Sequence, residues 1–324
     1  MRFIECAAFG PPEDLCVQEK EAPEMLPGCV RVEAKACGVY FVDALMVQGL
    51  YQIRPTPPFV PGTEVAGVVT EVGEGVEGYA VGDEVMAAPG QGGFADQVLV
   101  SEKLLRPMPR GLSFAQAAGF YQAYCTAYFA LVHRAQLQPG ETILILGAAG
   151  GVGLSAIDVA KAIGARVIAA ASSEEKLALC RAQGADEVIL YSEEDLKTRA
   201  KALSGGGVNV VYDPVGDAFA EPALRTLAPE GRYLVIGFAG GEIPRVPWNL
   251  ILLKQCQVVG VNWGGWAVSH REENEALFAS LREWVEDGRL NPVEPTLYPL
   301  EGLPQALRAL LDRKIVGKAA LSLD

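Results

Sequence analysis

Short apolar runs broken by glycine and proline fill the first 120 residues. CVRVEAKACGV (29–39), EVAGVVTEVG (64–73) and GDEVMAA (82–88) predict β-strands, separated by turn signals such as Gly73, Gly75 and Gly78. This part of the chain reads as an all-β unit of barrel or sandwich type. The pattern changes near Gln138. ETILILGAAGGVGLSAIDVAKAIGARVIAAASS is an apolar strand, a glycine turn, an amphipathic helix and a second apolar strand. Helix and strand then alternate: helix at Glu174–Gln183, strand at Glu187–Tyr191, helix at Glu193–Leu203, strand at Val208–Tyr212. A helix at about Ala218–Leu227 and the strand RYLVIGF follow. Continuous apolar strands alternating with helices predict a parallel sheet covered on both faces, an α/β arrangement. Beyond QVVGVNWG (257–264) the pattern is mixed again, with helices at Glu272–Glu286 and Leu303–Asp312.

Composition removes several function classes. The 324 residues suffice for two domains with substantial cores. Forty acidic against 27 basic side chains give a net charge of −13 with no Lys/Arg cluster, so no nucleic-acid or anionic-membrane surface is expected. No apolar run reaches transmembrane length, and the N-terminus lacks the apolar core of a signal peptide. Seven cysteines are scattered without a C-x-x-C pair, which suggests neither a zinc knuckle nor a disulfide framework and makes a cytoplasmic setting the expectation. Two histidines, His133 and His270, leave little for a His-rich metal site, and no metal is expected.

The glycine turn carries the chemistry. Gly147, Ala149, Gly150, Gly151, Val152 and Gly153 lie between an apolar strand and a helix, where glycine permits a tight turn and close approach of a pyrophosphate. The helix that follows presents unpaired N–H groups to the phosphates. A Rossmann-type dinucleotide site is therefore predicted. An NAD enzyme would place Asp or Glu at the end of the second strand. This chain has Ala171, then Ser172, Ser173 and, one helical turn on, Lys176. Hydroxyls and an ammonium suit a 2′-phosphate, so NADPH is favoured; the competing reading is a serine cap on a solvated helix.

Together, CGVYFVDALMVQGLY, PFVPGTEVAGVV, VGDEVMA, CTAYFAL, the glycine turn, YDPVGD, VIGFAGG and GKAALSL resemble the zinc-free quinone oxidoreductase family, to which zeta-crystallin belongs, within the medium-chain dehydrogenase/reductase superfamily. The resemblance implies a Rossmann doubly wound parallel sheet domain plus a GroES-like β-rich catalytic domain. The expected boundaries are 1–122 for the catalytic domain, 123–264 for the NADP-binding domain and 265–324 for a return to the first. In zinc-dependent members a Cys, a His and a third ligand hold the metal. The matching positions here are Tyr40, Thr63 and, more loosely, Gln122, which are not zinc donors. Cys37 matches a non-ligand cysteine and Glu64 remains from a G-x-E motif with a structural role expected.

Without a metal, reduction of an activated double bond is easier than alcohol oxidation, because donors need only stabilise a developing oxyanion. Tyr40, Tyr51 and Thr63 are the candidate donors. Tyr40 stands where the family usually has Asn, and each tyrosine could equally be a core aromatic with a satisfied hydroxyl. By motif, Thr126, Tyr191, Gly237, Phe238, Asn262, Trp263 and Lys318 resemble cofactor contacts, with Asn262 and Trp263 ending the last strand of the cofactor domain. Lys318 could also be a surface lysine, and Asp43 is expected to orient a turn. The resemblance implies an NADPH-dependent reductase of quinones or enones. The alternatives are an ene-reductase of enoyl thioesters or 2-haloacrylate-type acids, with Arg54 as its nearby cation, and an NADPH-binding crystallin-like protein with little turnover. A homodimer paired through the QVVGVNWG edge strand is expected.

Overall fold

The computed structural model describes residues 1–323. In chain order the strands are β1 (Arg2–Glu5), β2 (Cys16–Glu19), β3 (Cys29–Val39), β4 (Val65–Val72), β5 (Glu84–Ala87), β6 (Gln97–Ser101), β7 (Leu105–Pro107), β8 (Thr142–Ile145), β9 (Arg166–Ala171), β10 (Glu187–Leu190), β11 (Val208–Asp213), β12 (Leu227–Val235), β13 (Gln257–Gly260), β14 (Thr296–Pro299) and β15 (Ala319–Ser322). The helices are α1 (Phe41–Val47), α2 (Phe114–Ala118), α3 (Tyr121–Tyr128), α4 (Gly151–Ile163), α5 (Glu174–Ala182), α6 (Leu196–Ser204), α7 (Ala220–Leu224), α8 (Trp248–Lys254), α9 (Trp263–Ser269), α10 (Arg271–Glu286) and α11 (Leu303–Leu311). The chain forms two compact units, Met1–Gln122 joined by the segment from Glu294 on, and Ala123–Val293.

The first unit is built on the sheet β14-β15-β3-β4-β5-β7, with β6 also paired to β3. Every pairing in it is antiparallel except β14 with β15. Along β3, Val30, Val32, Ala34 and Ala36 point inward while Arg31, Glu33 and Lys35 are more exposed, the two-residue period of a half-buried strand. Its last residues lie in the middle of the sheet, Cys37 opposite both Val65 and Leu321. The strand therefore delivers Tyr40 directly from the core to the start of α1. Gly38 is required on the way: a Cβ there would lie 2.2 Å from the Ala118 carbonyl oxygen and 2.7 Å from the Tyr40 ring.

The second unit holds a six-stranded sheet in the order β10-β9-β8-β11-β12-β13, parallel throughout. Ile143, Leu144 and Ile145 of β8 are fully buried, each contributing about 1.5–3 kcal/mol of transfer free energy. Strand order reverses direction at β8, whose neighbours are β9 and β11. In open α/β sheets ligands bind at the carboxyl ends of strands at such a switch point.

Three sequence expectations differ from the structure. Residues 265–293, expected to rejoin the first unit, cluster with the second. The reason is α10, which buries Asn274, Leu277, Phe278 and Leu281 and whose Asn274 accepts the Trp263 indole N–H at 2.9 Å. The last strand of the sheet also ends earlier than expected. β13 stops at Gly260, and Asn262 caps α9 by accepting the Gly265 N–H at 3.1 Å. Asn262 and Trp263 thus open a helix rather than close a strand. The helix expected at 218–227 is a 3-10 turn followed by the short α7.

Candidate active site

Two constellations carry chemistry, one in each unit. In the first, Asp43 and Glu64 are both fully buried carboxyls. Tyr40 joins them. Its backbone N–H donates to Asp43 Oδ2 at 2.8 Å as the cap of α1, and its hydroxyl donates to Glu64 Oε2 at 2.7 Å. Glu64 also accepts the Tyr121 N–H at 2.7 Å on Oε1 and the Gln122 N–H at 3.0 Å on Oε2, which fix the start of α3. Gln122 Nε2 donates to Thr63 Oγ1 at 2.8 Å.

Burial pushes the Glu64 carboxyl up to about 7, against the lowering effect of Tyr40, the two backbone N–H groups and Lys318. Burial also pushes Asp43 up to about 7; Tyr40 and Thr63 oppose the rise and the nearby Glu64 adds to it. Tyr51 is half-buried on the core of this unit, and its phenol is raised by burial and by the charge of Asp43. The structure therefore brings Tyr40, Tyr51 and Thr63 around a carboxyl pair of which the sequence suggests only a structural role for Glu64 and a turn for Asp43. Lys318 lies here as well. It is a buried side chain that donates to the Gly119 carbonyl oxygen at 2.7 Å, not a surface lysine. Cys37 donates its thiol to Gly93 O at 2.7 Å and is raised by burial. Arg54 is exposed and donates to the Tyr51 carbonyl at 3.4 Å.

This donor set does not fit a metal. A phenol, a hydroxyl and a carboxamide at positions 40, 63 and 122 are not the thiolate, imidazole or carboxylate ligands that zinc takes, and the first three are already engaged with one another or with Glu64. Among the described residues no group of three or more His, Cys, Asp or Glu could hold a metal ion.

The second constellation fits a dinucleotide. Gly147 has φ +54°, and a Cβ on it would lie 2.9 Å from Val215 Cγ2. Gly150 caps α4, and Ala149 is buried within the turn. Gly151 and Val152 form the first helical turn, whose N–H groups have no partner within the helix. Gly153 packs so closely that a Cβ would lie 2.5 Å from Gly147 O and 2.7 Å from Ala148 O. The turn is thus a cradle that needs glycine at 147 and 153, with a helix N-terminus aimed at anionic groups.

Around it, Asp213 accepts the Val215 and Gly216 N–H groups, both at 2.8 Å, and the Tyr233 hydroxyl. Those bonds hold the loop after β11 against the turn. The loop after β12 packs on the same segment: Ala239 N–H reaches Pro214 O at 3.0 Å and Gly240 N–H reaches Val215 O at 2.8 Å. This places Gly237 and the 39%-exposed Phe238 beside the loop after β11. Asp213 lies in the YDPVGD motif that carries the family resemblance, and its role as the organiser of two loops needed the structure.

At the end of β9, Lys176 Nζ lies 3.3 Å from Ser172 Oγ, and Ser173 caps α5 by accepting the Lys176 N–H. Tyr191 follows β10 directly and packs against Phe219, ring centroids 4.5 Å apart. Ser192, which sequence reasoning missed, donates to Ser172 O at 3.2 Å. Ser172, Lys176, Tyr191 and Ser192 thus gather at the two neighbouring strand ends. Thr126 sits in α3, and the expected contacts Asn262 and Trp263 lie at the start of α9, Trp263 buried against Asn274.

A β-rich unit interrupted by a parallel dinucleotide-binding sheet is the architecture of medium-chain oxidoreductases. Residues 26–136 match the alcohol dehydrogenase GroES-like domain, and residues 151–281 match the zinc-binding dehydrogenase family. The chain is 43% identical to quinone oxidoreductase-like protein 2 of Bos taurus, over 99% of this chain and 92% of that one. It is 39% identical to a probable oxidoreductase of Mycobacterium abscessus, with TM-score 0.89 over 99% and 98% of the two chains. A quinone oxidoreductase of Escherichia coli crystallised with NADPH matches at 32% identity and TM-score 0.90, over 99% of this chain and 100% of that one. The chain belongs to the quinone oxidoreductase family of the medium-chain dehydrogenase/reductase superfamily, and it is an oxidoreductase. No helix among the described residues is long and apolar enough to cross a membrane.

Proposed function

We propose that the protein is an NADPH-dependent, zinc-independent reductase of quinones or α,β-unsaturated carbonyls. The observation that carries this reading is the donor set at 40, 63 and 122: a phenol, a hydroxyl and a carboxamide where a metal-dependent relative has ligands. Hydrogen-bond donors can stabilise an oxyanion, but they cannot activate an alcohol as a Lewis acid does. The dihydronicotinamide would supply hydride. The turn at Gly147–Gly153 binds its pyrophosphate, while Ser172, Lys176, Tyr191 and Ser192 receive the 2′-phosphate. The NADPH in the Escherichia coli relative supports that choice. Thr126, Gly237, Phe238, Asn262 and Trp263 flank the rest of the cofactor. Thr63, Tyr40 and Tyr51 orient the acceptor and stabilise the oxygen on which charge develops.

The working form is a cytoplasmic homodimer. β13 is the edge of the parallel sheet, and it and the preceding α8 carry exposed Trp248 (81%), Leu252 (77%), Leu253 (75%) and Val258 (45%), an apolar edge suited to a second copy. A panel of quinones, enones and acryloyl thioesters with NADPH and NADH tests the function. Turnover of quinones or enones with NADPH supports it. Turnover only of thioesters would move the assignment to an enoyl-thioester reductase, and cofactor binding without turnover to a crystallin-like binder.

A further inference from the structure

Reduction of a quinone by hydride leaves an oxyanion that must take up a proton, and the first unit holds two buried carboxyls. Asp43 and Glu64 are two fully buried carboxyls that act on one another, and the buried cation Lys318 acts on Glu64. Both cannot be ionised without a net negative charge in a desolvated site. The hydrogen bonds decide which one keeps a proton. Glu64 has donors on both oxygens: Tyr121 N–H on Oε1, Gln122 N–H and the Tyr40 hydroxyl on Oε2. Asp43 has the Tyr40 N–H on Oδ2 and lies beside Thr63, whose hydroxyl and backbone N–H ease its charged form, but its buried Oδ1 makes no hydrogen bond. An unpartnered carboxylate oxygen in the core costs more than a neutral O–H that can find an acceptor there.

We propose that Asp43, protonated on Oδ1, is the proton reservoir of the reductase and passes its proton outward through the Thr63 hydroxyl. This rests on the reductase reading above. Thr63 is suited to the relay because Gln122 Nε2 occupies only one of its two oxygen lone pairs. The other can accept from Asp43, and the Thr63 hydrogen remains for the substrate oxygen. In the step, the substrate oxyanion takes the Thr63 hydroxyl proton while Thr63 takes the proton of Asp43. One O–H bond of Asp43 breaks, one forms on the substrate, and Asp43 is left as carboxylate until solvent returns a proton. The other titratable groups facing Asp43 are Glu64, the Cys37 thiol of β3 and the Tyr51 phenol. Asp43 is a positioning and proton-storing residue, with Thr63 as the group that meets substrate.

The test combines infrared spectroscopy of the cofactor-free protein with a pH profile. Wild-type protein at neutral pH should show a protonated-carboxyl C=O band that titrates near neutrality, is absent in Asp43→Asn and persists in Glu64→Gln. Thr63→Val, which keeps both carboxyls, should shift the band. The kcat of wild type should fall as pH rises through this titration; in Asp43→Asn that limb should vanish, with kcat below it lower by about 10²-fold or more, as for general acid groups. A band lost in Glu64→Gln instead, unmoved by Thr63→Val, or lacking altogether would overturn the proposal. The spectra need no NADPH turnover, so failure of the reductase reading would leave them interpretable.

Discussion

Replacing Asp43 by Asn should abolish the pH dependence of stability contributed by this carboxyl. The folded chain holds the Asp43 proton up to about 7, whereas the unfolded chain releases it near its ordinary value of 3.8. Between those values the folded state binds more protons, so stability falls as pH rises from about 4 through about 7. One pKa unit corresponds to about 1.4 kcal/mol, which sets a ceiling of about 4 kcal/mol for the full shift. Asn keeps the acceptor for the Tyr40 N–H and has no charge to bury, so it loses nothing over that range. Removing the neighbouring charge also eases Glu64, which acts in the same direction. Urea unfolding of wild type and Asp43→Asn at pH 4.5 and pH 8 measures the difference. The variant should gain on wild type by roughly 1.5–4 kcal/mol between the two pH values. A difference that is independent of pH within about 0.5 kcal/mol would show that Asp43 is ionised in the folded chain.

Gly153→Ala should abolish tight NADPH binding: its Cβ would sit 2.5 Å from Gly147 O, so the turn must open, and calorimetric titration should show affinity at least tenfold weaker with little change in the first unit. Lys176→Ala should raise KM for NADPH about tenfold and leave NADH little affected; equal effects on both cofactors would remove the 2′-phosphate assignment. Val258→Asp, on the exposed edge of β13, should convert a dimer to monomer by sedimentation velocity; an unchanged species would place the dimer elsewhere or nowhere.

The architecture was legible because its signals are local. The apolar strand, glycine turn and helix at 141–163 and the alternation that follows it are repeated local patterns that a parallel sheet requires. The cofactor residues at 172–176 could be named for the same reason, since they lie one strand beyond the glycines. What the sequence did not carry was tertiary. Asp43 and Glu64 are 21 positions apart in the chain, and only Tyr40 shows that they share a site, through its N–H on one and its hydroxyl on the other. The Gln122–Thr63 bond spans 59 positions. Asn262 was mistaken for a strand residue because VVGVNW reads as one apolar run. The signal for the helix was present in the asparagine itself, a strong cap, followed by two glycines that fit no strand. The boundary at 265 failed similarly: α10 is amphipathic, and its pattern says that it packs on a core without saying which one.

The account turns on hydride transfer from NADPH that relies on this chain's own donors in place of a metal. The direct measurement is steady-state NADPH oxidation with 1,2-naphthoquinone by protein treated with a chelator and assayed for bound metal. Turnover is predicted to be unchanged by the treatment, to need the quinone, and to proceed on protein holding no stoichiometric zinc. Zinc bound one per chain with activity lost on its removal, or steady turnover of an unactivated alcohol with NADP⁺, would contradict it.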